Sequence, residues 1–340
     1  MMIPYMTLQK GRVRQMKNNK VALLLGAAGV MASALLISVM SVKNAPHRTG
    51  MVVFALGGKA QLRNTIEIPI EELDSLVMEY GSKNIKVYLT QDDHVTVKEY
   101  LYSDSPKATA SVSYMDNKEV VVTGTKMHSF VIFGFWGEGE RIEVYVPEGS
   151  LTKLSLETRS GNITSEASCV REEGSLLLKA GSGNIKWSNV TAGSVFVEAG
   201  SGNVKLENIQ GNLRVETGSG NITGNQISGK VRAQAGSGNI TLKGISGSGS
   251  AQAGSGNVRL ETNEVTGDID LTTGSGNIYL ELPRELEFYF QAETGSGNIS
   301  TDFEDALSYN NRGNRAEGEV GEAQVDIQVH ANSGNVRVAN

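Results

Sequence analysis

Residues 213–231 read Leu-Arg-Val-Glu-Thr-Gly-Ser-Gly-Asn-Ile-Thr-Gly-Asn-Gln-Ile-Ser-Gly-Lys-Val. Apolar and polar side chains alternate up to Thr217, a Gly-rich turn follows, and the alternation resumes at Ile222. A period of two on both sides of a turn predicts two strands that share one buried face. The Ser-Gly-Asn triplet, followed by Ile or Val, recurs at Ser160, Ser182, Ser201, Ser219, Ser237, Ser255, Ser275, Ser296 and Ser333. The intervals are 22, 19, 18, 18, 18, 20, 21 and 37 residues, too short for helical-hairpin repeats and within the range of solenoids. The last interval is close to twice the mean, which predicts a copy without its motif or an insertion.

Aligned on the Ser, the fourth residue before it is Leu156, Leu178, Val197, Val215, Ala233, Ala251, Leu271, Ala292 or Val329. Two residues earlier the column is again mostly apolar, with Gly249 as its exception. After the turn an inward column begins at Ile163, Ile185, Val204, Ile222, Ile240, Val258, Ile278, Ile299 and Val336, with Trp187 two residues beyond Ile185. A third, shorter column comprises Val190, Ile209, Ile227, Ile245 and Val265. Each repeat therefore reads as one coil of a parallel β-solenoid, stacked at about 4.8 Å per coil. The turn glycines are expected to supply positive φ, and the Asn to hydrogen-bond locally or to the Asn one coil away. A phosphate-binding loop would need a Lys and a following helix, and a calcium roll a nine-residue period with an Asp in each turn; neither pattern is present.

The stretch that begins at Val21 and ends at Val42 carries no charge and is long enough to cross a bilayer as a helix. Lys10, Arg12, Arg14, Lys17 and Lys20 precede it without an acid, which predicts a cytoplasmic N-terminus and an uncleaved signal anchor. Met16 is an alternative start. From residue 44 onward the chain holds 25 basic against 37 acidic residues, a net charge of −12. Such a surface argues against nucleic acid as a partner. The single Cys169 forbids an intrachain disulfide and reads as a small core residue.

Residues 43–65 read as a polar linker, and residues 66–149 as irregular coils or a β cap over the first solenoid edge. Within them Gly81-Ser82-Lys83-Asn84-Ile85 is a degenerate copy of the repeat corner. Phe130 to Trp136 is the most apolar run outside the anchor, read as a buried strand and turn or as an exposed patch. Residues 150–340 form the regular array, with an insertion at 302–324 that folds over the final coil or protrudes as a contact loop.

The apolar anchor, the irregular β region ending in Val144-Tyr145-Val146-Pro147-Glu148-Gly149, and the repeated Thr/Ala-Gly-Ser-Gly-Asn-Ile together carry a resemblance. From about residue 66 to residue 340 the chain resembles the bacterial family defined by domain of unknown function 4097, whose members are named as adhesins and include membrane-anchored proteins of envelope-stress operons. The resemblance implies an all-β fold, a right-handed parallel β-solenoid (β-helix) with about 18–22 residues per coil on the cell exterior. It brings no catalytic residues and no cofactor.

Parallel β-helices also host polysaccharide-acting enzymes, which need paired acids on one coil face. The best acidic column here lies six residues after the Ser, where Glu261, Glu281 and Asp302 fall in three successive repeats. Stacked carboxylates repel, so they protonate, turn into water or share a cation; calcium is the metal candidate for this column. The expected function is a non-catalytic, membrane-tethered binding or scaffold module whose partner is an envelope protein or a cell-wall glycan. The alternatives are an accessory of an envelope-stress signalling system and, after it, a polysaccharide-acting enzyme.

Overall fold

The computed structural model describes Val39–Met40, Val52–Leu56, residues 59–125, His128–Phe133 and residues 139–340. Most described strands join one 22-stranded, largely parallel sheet that winds into a β-solenoid. In a regular coil the strand Ile222–Ala235 leaves the Ser-Gly-Asn corner, bends at Gln226 (φ 53°) and again at Gly229 (φ 129°), and so supplies three faces. Ile222, Ile227, Val231 and Ala233 point inward and are buried. Their partners one coil on are Ile240, Ile245, Gly249 and Ala251, so like positions stack on like. The first two columns expected from the alternation are this core, and Trp187 lies in it with its indole N–H donating to the Ala167 carbonyl at 3.0 Å. Cys169 is buried as well, and burial pushes its thiol up to about 12.

The corners hold the stack together. Asn221 donates its backbone N–H to Asn203 Oδ1 at 2.9 Å and accepts at its own Oδ1 from the Asn239 N–H at 2.9 Å. The side-chain Nδ2 of Asn221 also donates to Asn203 Oδ1 at 3.3 Å. Beneath the corner the buried Thr217 hydroxyl donates to the Gly202 carbonyl and accepts from the Gly220 N–H. The central glycine is required for a reason other than the expected positive φ. A Cβ on Gly238 would lie 1.7 Å from the Gly220 carbonyl oxygen, and one on Gly220 1.8 Å from that of Gly202. Positive φ appears at this position only in Gly297 and Gly334.

The asparagine ladder also reveals the order of the coils. It runs Asn84, Asn162, Asn184, Asn203, Asn221, Asn239, Asn257, Asn277, Asn335, Asn298. The coil that is last in sequence therefore sits between the Asn277 and Asn298 coils. Val329 pairs with Leu271 on one side and Ala292 on the other. The long interval thus contains no lost copy. Residues 302–324 instead carry Leu307–Tyr309 and Arg315–Val320, and the latter pairs antiparallel with Phe288–Ser296 over the end of the stack. The insertion thus folds over the Phe288–Ser296 coil, and the coil that is last in sequence lies inside it.

The other end repeats the device. Ser75–Tyr80 pairs with both Leu151–Thr158 and Glu119–Thr123, so the Asn84 coil lies inside the coil that follows it in sequence. His94–Leu101 then pairs antiparallel with both Arg141–Pro147 and Gln61–Pro69. The buried Glu99 fastens this cap, accepting from Asn64 Nδ2 (2.7 Å), the Ala110 N–H (2.9 Å) and the Tyr80 hydroxyl (3.1 Å). Burial, and then Glu99, hold the Tyr80 hydroxyl well above its ordinary pKa. Lys83 occupies the corner position that is glycine elsewhere. Its side chain is directed toward the cap, where it pairs with Glu140, instead of toward another corner. The degenerate copy at residues 81–85 is thus a true corner.

Three expectations need correction. Residues 43–65 are not a plain linker, since Val52–Leu56 and the start of Gln61–Pro69 are strands whose backbone groups pair with His128–Phe133 and His94–Leu101. The predicted anchor lies outside the described residues except for Val39–Met40, which are strand paired with Val52 and Val53, so the helix does not run through them. Among the described residues no helix is long and apolar enough to cross a membrane. Val265 leaves its column, because the longer turn of its coil puts Thr262 opposite Ile245 and Val265 opposite Gly247. The apolar run from Phe130 contributes to the strand His128–Phe133, and residues 134–138 lie outside the described set.

The corner geometry generates two expected outcomes. Gly238→Ala should lower stability by about 3 kcal/mol, because backbone must move to admit the methyl. Gly81→Ala, whose Cβ would meet nothing nearer than 3.7 Å, should stay close to wild type, and urea midpoints of the two variants check the difference. Asn239→Ala should cost about 1 kcal/mol by stripping the acceptor from the exposed Asn257 N–H.

Candidate functional site

The acidic column is not a run of three neighbours. Glu261 and Glu281 stand opposite each other in register, but the partner of Glu281 on its other side is Ala339. The inserted last coil separates Glu281 from Asp302. Each carboxylate also has its own partner. Glu261 pairs with Arg259 on its own strand and with Lys243 one coil away at 3.1 Å. The Tyr279 hydroxyl donates to Glu281 Oε2 at 3.1 Å, and the Arg259 guanidinium lies 4.0 Å from the centre of the Tyr279 ring. Asp302 pairs with Arg337. Repulsion between the stacked acids is relieved by cations from adjacent columns, and no three His, Cys, Asp or Glu among the described residues gather closely enough to hold a metal ion. Burial raises the Glu261 carboxyl, yet the hydrogen bonds from Arg259 and Lys243 prevail and leave it below its ordinary 4.5.

A different arrangement lies on the face that precedes the corner. There the coil containing Ser246-Gly247-Ser248-Gly249-Ser250 carries only small residues, and its Gly249 and Ser250 form the floor of a groove of about 370 Å³. Gly249 has φ 138°, and a Cβ would lie 1.8 Å from the Val231 carbonyl oxygen, so the floor cannot be built up by a side chain at this position. One wall is Lys230 and Arg232, in register with Ser248 and Ser250. The opposite wall is Asp268, Asp270 and Asp326, with Gln328 beyond Asp270. Asp268 Oδ1 accepts from the Asp326 N–H at 3.0 Å, and Asp270 Oδ1 from the Thr272 hydroxyl at 3.2 Å. Among the described residues neither Lys230 nor Arg232 forms an ion pair, because the floor strand holds the two signs apart.

The sequence reading missed this groove. Its one visible signal was Gly249, the break in an otherwise apolar column. The contribution of Asp326 depends on the displaced coil and has no signature in the sequence.

The profile of the toastrack domain, DUF4097, matches residues 73–339. The chain belongs to the toastrack family. Solved structures similar to this toastrack domain include a candidate adhesin from Bacteroides fragilis, at 16% identity and a TM-score of 0.46, covering 84% of this chain and 100% of that one. A candidate lipid-binding protein from Parabacteroides distasonis is 13% identical with a TM-score of 0.42, covering 83% and 98%. A candidate adhesin from Parabacteroides merdae is 12% identical with a TM-score of 0.29, covering 84% and 99%. No curated protein matches the toastrack chain.

The charge ladder has a pH signature. The folded-state pKa of Glu261 lies below its unfolded value, so the unfolded chain takes up the proton first as pH falls. The stabilisation is complete above about pH 4.5 and is lost as pH drops through the lower folded value. Glu261→Gln should therefore cost about 0.5 kcal/mol at pH 7, and this cost should shrink as pH falls below 4.5 when urea midpoints are compared.

Proposed function

We propose that this toastrack protein is a non-catalytic, right-handed solenoid rod, tethered to a bacterial membrane through the apolar segment that begins at Val21 and displayed outside the cell as a binding or scaffold module. The observation that carries the reading is the closure of both ends. Antiparallel strands cover the terminal coils, and the outer strands are short or charged, as in Ser111–Tyr114, Leu307–Tyr309 and Gln61–Pro69, which contains Arg63, Glu67 and Pro69. Such edges resist end-to-end addition of further strands. What remains for a partner is the long lateral faces, whose outward side chains repeat about every 4.8 Å. The ion-paired acids of the Glu261 column favour a structural surface over a hydrolytic pair, since a general acid needs a raised carboxyl and Glu261 is lowered.

Cell fractionation with added protease tests the reading. In a bacterial host the full chain should stay in the membrane fraction through high-salt washing, and external protease should cleave it on cells stripped of outer layers. Deletion of residues 1–43 should leave the chain in the cytoplasm. A full chain that is soluble inside the cell would overturn the proposal.

A further inference from the structure

The groove over Gly249 and Ser250 holds opposite charges on its two walls. Along the Arg232, Ser250, Asp270, Gln328 register, Arg232 and Asp270 are two strand spacings apart, about 10 Å along the rod axis. Across a single strand spacing, by contrast, Lys243 pairs with Glu261 and Lys179 with Glu198. Here a strand of serine and glycine intervenes, and the five charged side chains are exposed around a polar floor.

A polyanion would be attracted by Lys230 and Arg232 but repelled by three aspartates, and a polycation would meet the reverse. A ligand that satisfies both walls carries a carboxylate and an ammonium about 10 Å apart. Extended chain advances about 3.3–3.6 Å per residue, so three residues with free ends span the distance. We propose that this groove binds a short extended peptide lying along the rod axis, its carboxylate on Arg232 and Lys230 and its ammonium among Asp268, Asp270 and Asp326. The Arg232 guanidinium offers a fork matched to the two carboxylate oxygens, and the Ser250 hydroxyl is available to the peptide backbone from the floor. The inference rests on the lateral-face reading above and gives that surface a ligand class.

Calorimetric titration of the purified full chain with trialanine tests the proposal, beside N-acetyl-trialanine and trialanine amide. Trialanine should bind saturably, and blocking either end should weaken it by at least about tenfold, the cost of one charge-assisted contact. Arg232→Ala and Asp270→Ala, both at exposed positions, should each weaken trialanine similarly while leaving the urea midpoint unchanged. With Arg232→Ala, amidation of the peptide should have little further effect. Raising salt should weaken binding, as screening acts on exposed charges. Absence of saturable binding up to about 10 mM, or equal binding of all three peptides, would overturn the proposal. If that happens while the chain still fractionates as an external membrane protein, the groove assignment fails and the display reading stands.

Discussion

Successive corner backbones in this solenoid lie about 4.8 Å apart, which leaves no space for a side-chain carbon directed along the axis. At Gly161, Gly183, Gly202, Gly220, Gly238 and Gly256 an added Cβ would lie 2.0 Å or less from a carbonyl oxygen one coil away. The contact fixes how closely coils approach, and close approach lets each Asn reach the next with both its backbone and its side chain. The ladder then sets the register, and the register brings Ile onto Ile and Val onto Val in the core. Only threonine or alanine stands under each Ser-Gly-Asn corner, and the buried Thr158, Thr217, Thr273 and Thr294 each donate the hydroxyl to a corner carbonyl.

A stack held in this manner has the weakness of every parallel sheet, two open ends. The chain covers both. At the C-terminal end it places the Asn298 coil outermost, folds antiparallel strands across it and returns to fill the slot inside; at the other end the inner Asn84 coil comes first, and the outermost coil and its antiparallel strands follow it in sequence. The coil containing Asn335 and the coil containing Asn84 are consequently hydrogen-bonded on both sides. Lys83 marks the boundary of the glycine rule, for where no corner lies in the direction of its Cβ a long side chain is accommodated and ion-paired.

Surface chemistry follows from the same lattice. Columns of outward residues are brought within one strand spacing, so opposite charges in adjacent coils neutralise each other and like charges need a cation from the next column. Glu261, Arg259, Tyr279 and Glu281 form such a self-satisfied set. The groove departs from it because one coil has no side chain large enough to bridge its neighbours, and the charges on either side remain apart.

The period, the inward columns, the Asn ladder and the burial of Trp187 and Cys169 were legible in the sequence, because each depends on residues within one repeat and its copies. The family resemblance rested on the same local motif. Coil order was not legible. Backbone hydrogen bonds between parallel strands carry no address, so any coil with this corner and alternation fits any slot, and the choice falls to connection lengths and to the caps. That choice separated Glu281 from Asp302 and brought Asp326 beside Asp268, undoing the site that adjacency in sequence had suggested and assembling the other. The repeat determined what one coil is; only the tertiary structure decided which coils are neighbours, and the surface chemistry depends on neighbours.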